Sequence, residues 1–519
     1  MPFCPESKLS GVEYKDFMAA VCYRRTFTLN RERLRGRVIL HFGAVDYRAT
    51  VYVNHREVGT HSGGYTSFFF DITTFLTEGE NVLCVCAQDN VRAPYQAAGK
   101  QSGRYNSYGC YYTRTTGIWQ TVWLEFVPQS HLKRVWYYPD PANGKLTLFA
   151  ETAGKGILTA KAFYQGRLMA EVSAQSFGGA VCLELFLAEK HLWEPGNGRL
   201  YDLEFTYGED QVKSYFGLRS LRLDGKKFLI NEKPVFQRLV LDQGFYPDGI
   251  YTALNDTALQ NDIQISMKIG FNGARLHEKV FEPRFLYHCD RMGYLVWGEY
   301  ANWGFDHSDP GQLSFFLNEW REVLERDFNH PAIIGWCPFN ETWDVSGRRQ
   351  KDEILRTVYL ETKRIDITRP CIDTSGNYHV LTDIFDVHDY EQDPQVFQSK
   401  FLPLEQENTL PDFEDRQTYR GEAVFVSEYG GIKWNCGSAP ENGWGYGNAP
   451  KNEQEFLERY RDLTKVLLKN PMLFGFCYTQ LYDVEQEVNG LYTYDRKPKF
   501  DSAVIKAINS QKAVIEQVE

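Results

Sequence analysis

From Leu218 onward, eight short apolar runs alternate with stretches of helical periodicity, and this alternation constrains the fold of the 519-residue chain more than any other feature. The runs are VFQRLVL (235–241), GARLHE (273–278), YLVWGEY (294–300), IIGWCPFNE (333–341), PCIDTS (370–375), IFDVHDY (384–390), AVFVSEY (423–429) and LFGFCYTQL (473–481). Runs this short and this rich in β-branched and aromatic residues read as buried strands. Amphipathic stretches at 311–328, 349–366 and 452–468 lie between some of them, and another closes the chain. Eight strand-helix units over 218–519 predict a parallel (β/α)8 TIM barrel, whose active site lies at the carboxyl ends of its strands.

Two of these runs deliver a glutamate to that end. Glu341 closes the fourth run and Glu428 lies near the end of the seventh. Retaining glycoside hydrolysis needs two carboxyl groups about 5 Å apart, one to protonate the leaving oxygen and one to attack the sugar. Two strand-end glutamates supply such a pair. Glu299, at the end of the third run, and Asp344 are the competing acids, and the strand pattern by itself allows Glu299 in place of Glu428.

Upstream, residues 20–127 hold short alternating strands, RVILHF (37–42), ATVYVN (49–54), TSFFFDI (66–72), NVLCVCAQ (81–88) and WQTVWLEF (119–126), with turn-like GTHSGGY and TEGEN between some of them. This pattern predicts an antiparallel sandwich over 1–127. A second strand-rich region, 128–217, contains KLTLFAE, ILTAKAFY and VCLELFL, and its size suits an immunoglobulin-like sandwich.

Composition excludes several partners. The net charge of −11, with no stretch of consecutive lysines and arginines, argues against nucleic acid or an anionic membrane surface. No run of 18 apolar residues occurs, and MPFCPESKLS has neither the charged nor the apolar part of a leader, so the expectation is a cytoplasmic protein. The eleven cysteines sit mostly in apolar runs such as LCVC (83–86) and are expected to be reduced core residues. Cys84 and Cys86 form one C-x-C without the second pair that a zinc site requires. Aromatic residues make up 15% of the chain, which suits both sugar stacking and core filling.

Taken together, YTRTTGIWQTVWLE (112–125), LWEPGNGRLYDLEF (192–205), NGARLHE, CDRMGYLVWGE, NHPAIIGWCPFNE, VFVSEYGG and DRKPK make the chain resemble glycoside hydrolase family 2, the family of β-galactosidases, β-glucuronidases and β-mannosidases. The resemblance implies a jelly-roll sugar-binding domain, an immunoglobulin-like domain and a catalytic TIM barrel with retaining chemistry. It casts Glu341 as general acid/base and Glu428 as nucleophile, with no cofactor and no metal. Glu428 must then be ionised, while its charge and partial burial are expected to raise the pKa of Glu341. Asn340 is expected to donate to the sugar 2-hydroxyl, or else to cap the strand end. Tyr390 is expected to bond the nucleophile or to pack structurally, with His388 and Asp389 beside it as sugar contacts. Arg275 and His277 alternate, so both face one side of the second strand, where a buried arginine would pair with a carboxylate. Trp303, Trp343 and Trp434 follow strand ends where an aromatic platform could form.

The sugar is read from one departure. Family β-glucuronidases carry Asn-x-Lys before the glycine preceding their DRKPK-like segment, where the cation reads the substrate carboxylate; this chain has Glu487, Val488 and Asn489 before Gly490. An acid there disfavours a uronate and points to a neutral sugar, most simply β-galactose, with β-mannose, β-glucose or an arabinopyranose open. Asp483, Glu485 and Glu487 are expected either to bond sugar hydroxyls or to form a solvated acidic loop. Family members usually begin with a further segment of several tens of residues, so the first sandwich is expected to be incomplete: either the chain is truncated or the sheet lacks an edge strand, which would invite association into a homo-oligomer. A carbohydrate-binding protein without catalysis is the alternative of a different class.

Overall fold

The computed structural model describes residues 3–437 and 442–517. Two β-sandwiches precede a parallel barrel. In the first, the antiparallel sheet ordered Ala20–Leu29, Gly79–Gln88, Arg48–Val53, Arg56–Ser62 packs on the sheet ordered Phe68–Asp71, Arg37–Phe42, Val122–Val127. Their inward residues, among them Val38, Leu40, Phe42, Val51, Val53 and Val85, form one apolar core. Strand Ala20–Leu29 lies at a sheet edge, and most of its residues remain exposed or half-exposed.

Cys22 and Cys86 stand opposite one another across this edge pairing and form a disulfide. This corrects the expectation of eleven reduced core thiols, as does the exposure of Cys182 and Cys436. Antiparallel register, invisible in spacing 64 residues apart, brings the two sulfurs together.

The second sandwich packs a sheet ordered His131–Asp140, Lys145–Ala153, Gly179–Phe186 against one ordered Arg167–Ser176, Gly156–Tyr164, Tyr201–Tyr207, Asp210–Phe216. In Tyr201–Tyr207 buried and exposed residues alternate strictly, as a strand with one wet face requires.

The barrel strands are Gln237–Asp242, Gly273–Leu276, Leu295–Glu299, Ile333–Cys337 with its extension Phe339–Asn340, Thr374–Ser375, Ile384–Asp389, Ala423–Tyr429 and Leu473–Tyr478. The first through fourth and sixth through eighth form one parallel sheet in cyclic order, and the fifth pairs with the extension of the fourth. Strand seven, AVFVSEY, is buried at all seven positions, which is why it reads as an unbroken apolar run.

The fifth unit departs from expectation. Its strand shrinks to two residues because the Asp373 carboxylate binds the main-chain N–H groups of Thr374, Val380 and Leu381 and the imidazole of His379, folding the following segment back locally. No helix separates it from the sixth strand among the described residues, so seven α-helices serve eight strands. No helix there is long and apolar enough to cross a membrane.

Candidate active site

Five barrel strands aim side chains at one point. Arg275 comes from the second strand, Glu299 from the third, Asn340 and Glu341 from the end of the fourth, His388 from the sixth and Glu428 from the seventh. Each lies near the carboxyl end of its strand, where a barrel places its reacting groups.

The two expected carboxylates meet. A carboxylate oxygen of Glu341, a ring nitrogen of His388 and a carboxylate oxygen of Glu428 all lie within 4.8 Å of one another. Glu341 is itself held in the left-handed region, at φ 47°, with its N–H on Ser375 O at 2.9 Å. Such a backbone costs a non-glycine residue roughly 1–3 kcal/mol, and it turns this carboxyl off the strand. Glu341, His388 and Glu428 are also the one group of acids, cysteines and histidines with metal-ligand spacing among the described residues. Arg275 already neutralises this cluster from behind, and hydrogen bonds engage both glutamates.

Arg275 organises the floor. It is 1% exposed, and its guanidinium donates to Glu299 Oε1 at 2.5 Å, Glu428 Oε1 at 3.1 Å, Ser427 O at 2.8 Å and Asn340 Oδ1 at 3.1 Å. One planar fork therefore fixes two carboxylates and an amide at once. Tyr390 donates to Glu428 Oε2, and its ring stacks on Tyr446 at 3.4 Å between centroids. His277 lies 3.3 Å from Glu299 and 3.9 Å from Glu428, so Glu299, 2% exposed, is enclosed behind Arg275 and His277.

His388 overturns the expected proton placement. Its Nδ1 lies 2.8 Å from Glu341 Oε1 and its Nε2 3.5 Å from Glu428 Oε1. Burial by itself would push both groups toward neutrality. Contact with the two carboxylates instead raises the imidazole pKa, while burial of Glu341 is outweighed by the His388 hydrogen bond and charge, holding its carboxyl down at about 2. The contact therefore favours the proton on His388 over Glu341, the reverse of the expected raising of the Glu341 pKa. Gly376 makes room for that imidazole: it has φ +88°, and a Cβ there would lie 2.3 Å from His388 Nδ1.

The remaining expected contacts divide. Trp343 donates its indole N–H to Glu341 Oε2 at 3.1 Å and is 43% exposed, flanking the carboxyl at the rim. Trp303 donates to Asn340 O at 3.0 Å, and Asn302 Nδ2 donates to the same carbonyl at 3.1 Å, fixing the Asn340 backbone. Asp389 does not join the site: its carboxylate pairs with Lys400 at 2.8 Å and accepts the Glu391 N–H, because alternation along the sixth strand turns it away from the face His388 occupies. Trp434 packs on Phe456 and Phe500 in the helical layer and does not contact either carboxylate. Asp344 pairs with Arg416 at 3.0 Å on the exposed rim.

The acidic loop is not solvated. Asp483 is buried against Lys499 at 2.6 Å, and burial pushes its pKa up to about 6 against the pull of that ammonium; Glu485 accepts the Thr113 N–H at 3.0 Å. Glu487, 3% exposed, accepts from Tyr112 Oη and from Asn489 Nδ2 at 3.0 Å. Thr113 and Tyr112 belong to the first sandwich. The 28-residue connection 89–116 leaves that sandwich and lays Lys100, Tyr111 and Tyr112 along the barrel mouth. These wall residues carry no periodic signal; Tyr112 and Thr113 open the YTRTTGIWQTVWLE segment, whereas for Lys100 and Tyr111 the unusual length of a Tyr-rich connection was the cue.

Comparison with known proteins decides the family. The model described as glycosyl hydrolases family 2, TIM barrel domain, matches residues 221–513, and that for the family 2 sugar binding domain matches 9–124. The chain belongs to glycosyl hydrolases family 2. A β-galactosidase of Thermoanaerobacter pseudethanolicus is 28% identical over 72% of this family 2 chain and 51% of its own length. A β-galactosidase of Bacteroides ovatus is 27% identical over 62% of the chain and 39% of its own length. The chain thus spans about half the length of the first of these curated relatives and less of the second. Among solved structures, a β-D-glucuronidase of Dictyoglomus thermophilum superposes with a TM-score of 0.79 at 22% identity, covering 99% of this chain and 94% of that one, a likeness of fold.

Proposed function

We propose that this family 2 chain is a retaining exo-β-glycosidase that releases a terminal β-linked neutral sugar, most simply β-galactose. The approach of Glu341 and Glu428 to within 4.8 Å carries the reading, because it fits the short carboxyl separation of double displacement and leaves no room for the interposed water of inversion. Glu428 attacks the anomeric carbon as nucleophile, steered by Arg275 and Tyr390. Glu341 protonates the departing oxygen and then, as base, activates the water that hydrolyses the glycosyl intermediate.

His388 supplies the proton that the first step needs. Imidazole and carboxyl share one proton across a 2.8 Å contact, and transfer toward Glu341 as the leaving oxygen gains charge completes the acid. The alkaline limb of kcat/KM then reports loss of that shared proton. Because the imidazole pKa is raised, the proton is held below the limb and lost as pH climbs above the ordinary imidazole range. In His388→Asn the proton must reside on Glu341 itself, so the limb is expected to move to lower pH. A pH profile of kcat/KM checks this, and a limb that stays in place sinks the shared-proton reading.

Glu341→Gln separates acid from nucleophile. Aryl glycosides with poor leaving groups are expected to lose about 10²–10⁴-fold in rate, and 2,4-dinitrophenyl glycosides, whose leaving oxygen needs no proton, far less in the first step. Equal losses for both would reject Glu341 as acid. For the sugar, release of p-nitrophenol from β-galactoside, β-mannoside, β-glucoside and β-glucuronide is the direct test. A preference for glucuronide would overturn the neutral-sugar reading, which is supported by Glu487 standing where family glucuronidases begin their Asn-x-Lys.

A further inference from the structure

The first sandwich sends a buried lysine to the same barrel mouth. In the connection 89–116, the N–H groups of Ala98 and Gly99 donate to Trp303 O at 2.7 and 3.0 Å, clamping the loop to the barrel. Gly99 has φ +56° and lies so close to the Glu278 backbone that a Cβ would come within 2.3 Å of Glu278 O, so only glycine fits there. The clamp sets Lys100 at 6% exposure, with its ammonium 3.7 Å from the centroid of the Trp303 ring.

That ammonium lacks an acceptor. Among the described residues it donates no hydrogen bond and makes no ion pair within 4 Å; burial disfavours its charge, and Glu487 and Glu341 act on it through space in the opposite direction and keep it charged. A buried charged donor without an acceptor is costly, which marks a place where a ligand oxygen completes the site. The ammonium is not sealed off: the fully enclosed, unpartnered polar atoms include Glu278 Oε1 but not Lys100 Nζ. Glu487 has one hydrogen bond to each carboxylate oxygen, from Tyr112 and Asn489, and each oxygen retains acceptor capacity.

We propose that Lys100 and Glu487 form a donor–acceptor pair that reads hydroxyl groups of a neutral sugar, so that the amino-terminal sandwich carries a specificity-determining residue of the barrel's active site. The proposal rests on the glycosidase reading above and deepens it. A hydroxyl accepts from Lys100 and donates to Glu487, satisfying both. A uronate carboxylate accepts only; it would satisfy Lys100 while lying against Glu487 in a mouth that already holds Glu341 and Glu428. A site built around hydroxyl hydrogen bonds discriminates strongly, since a missing partner leaves its own buried groups unpaired.

The test compares wild type, Lys100→Met, Lys100→Gln, Glu487→Gln and the Lys100→Met/Glu487→Gln double variant. Each is assayed for kcat and KM on whichever neutral p-nitrophenyl β-glycoside wild type cleaves fastest and on the β-glucuronide, and titrated calorimetrically with the corresponding free neutral sugar and with D-glucuronate. Lys100→Met and Lys100→Gln are expected to raise KM for the neutral glycoside about tenfold or more and weaken sugar binding in step, with kcat falling less. The double variant is expected to cost less than the product of the single losses, as coupled partners do. Melting temperatures establish that the variants fold, and the two Lys100 replacements guard against one that does not. Neutral-sugar KM and binding within twofold of wild type in the Lys100 variants overturn the pair, as does selective loss of glucuronate binding with the neutral sugar spared. A wild type that binds the neutral sugar through Lys100 yet releases no p-nitrophenol sinks the glycosidase reading and keeps the pair; turnover indifferent to Lys100 does the reverse. Absence of any sugar binding and any release overturns both.

Discussion

Glu428→Ala is expected to lose on the order of 10⁴-fold or more in turnover, a barrier increase above about 5 kcal/mol. The covalent route disappears with the attacking carboxylate, and Arg275 and Tyr390, which bond it in the intact chain, are left facing a hole. A small anion fits that hole. Azide attacking from the side Glu428 occupied yields the glycosyl azide of inverted, α configuration, whereas in Glu341→Ala azide enters from the leaving-group side after the glycosyl intermediate has formed and yields the β azide. The anomeric configuration of the two products, read by NMR, assigns both roles in one experiment. Glu299→Ala gives no azide product on this reading. Azide rescue of Glu299→Ala with Glu428→Ala still active would replace the nucleophile assignment.

Arg275→Met is expected to destabilise the protein by about 3–5 kcal/mol, because removing one partner of a buried ionic cluster strands the others. Glu299 would lose its 2.5 Å donor while enclosed, and Glu428 its 3.1 Å donor. Thermal or denaturant unfolding measures the loss. Arg275→Lys restores the charge without the fork, and it is expected to recover part of the stability while remaining poorly active, since a single ammonium cannot hold Glu299, Glu428 and Asn340 together. Wild-type stability in Arg275→Met would mean that the carboxyls simply take up protons and that the cluster contributes little.

The barrel was legible because its strands are buried on both faces and so spell themselves as unbroken apolar runs; seven of the eight lie close to where pattern placed them. The fifth was overread because PCIDTS has strand composition but Asp373 spends its carboxylate on local N–H groups. At the site, strand-end position located Glu341, Glu428 and Arg275. Proton placement on Glu341 was beyond reach, since it depends on His388, 47 residues away and brought to 2.8 Å only by strand register. Asp389 and Trp434 shared the neighbourhood in sequence of true mouth residues without sharing their direction. Lys100 and Tyr112 lay in an aperiodic connection, where adjacency is created by docking and leaves no trace in spacing.

That docking has a consequence for how such enzymes diversify. If the proposed Lys100–Glu487 pair holds, part of the wall of the barrel mouth is lent by a module some 120 residues upstream of the barrel, and drift or recombination in that module would retune which sugar is accepted while Glu341, Glu428 and Arg275 stay untouched. On that reading one half of the selectivity pair, Lys100, is inherited apart from the reacting carboxylates, while Glu487 stays with them in the barrel.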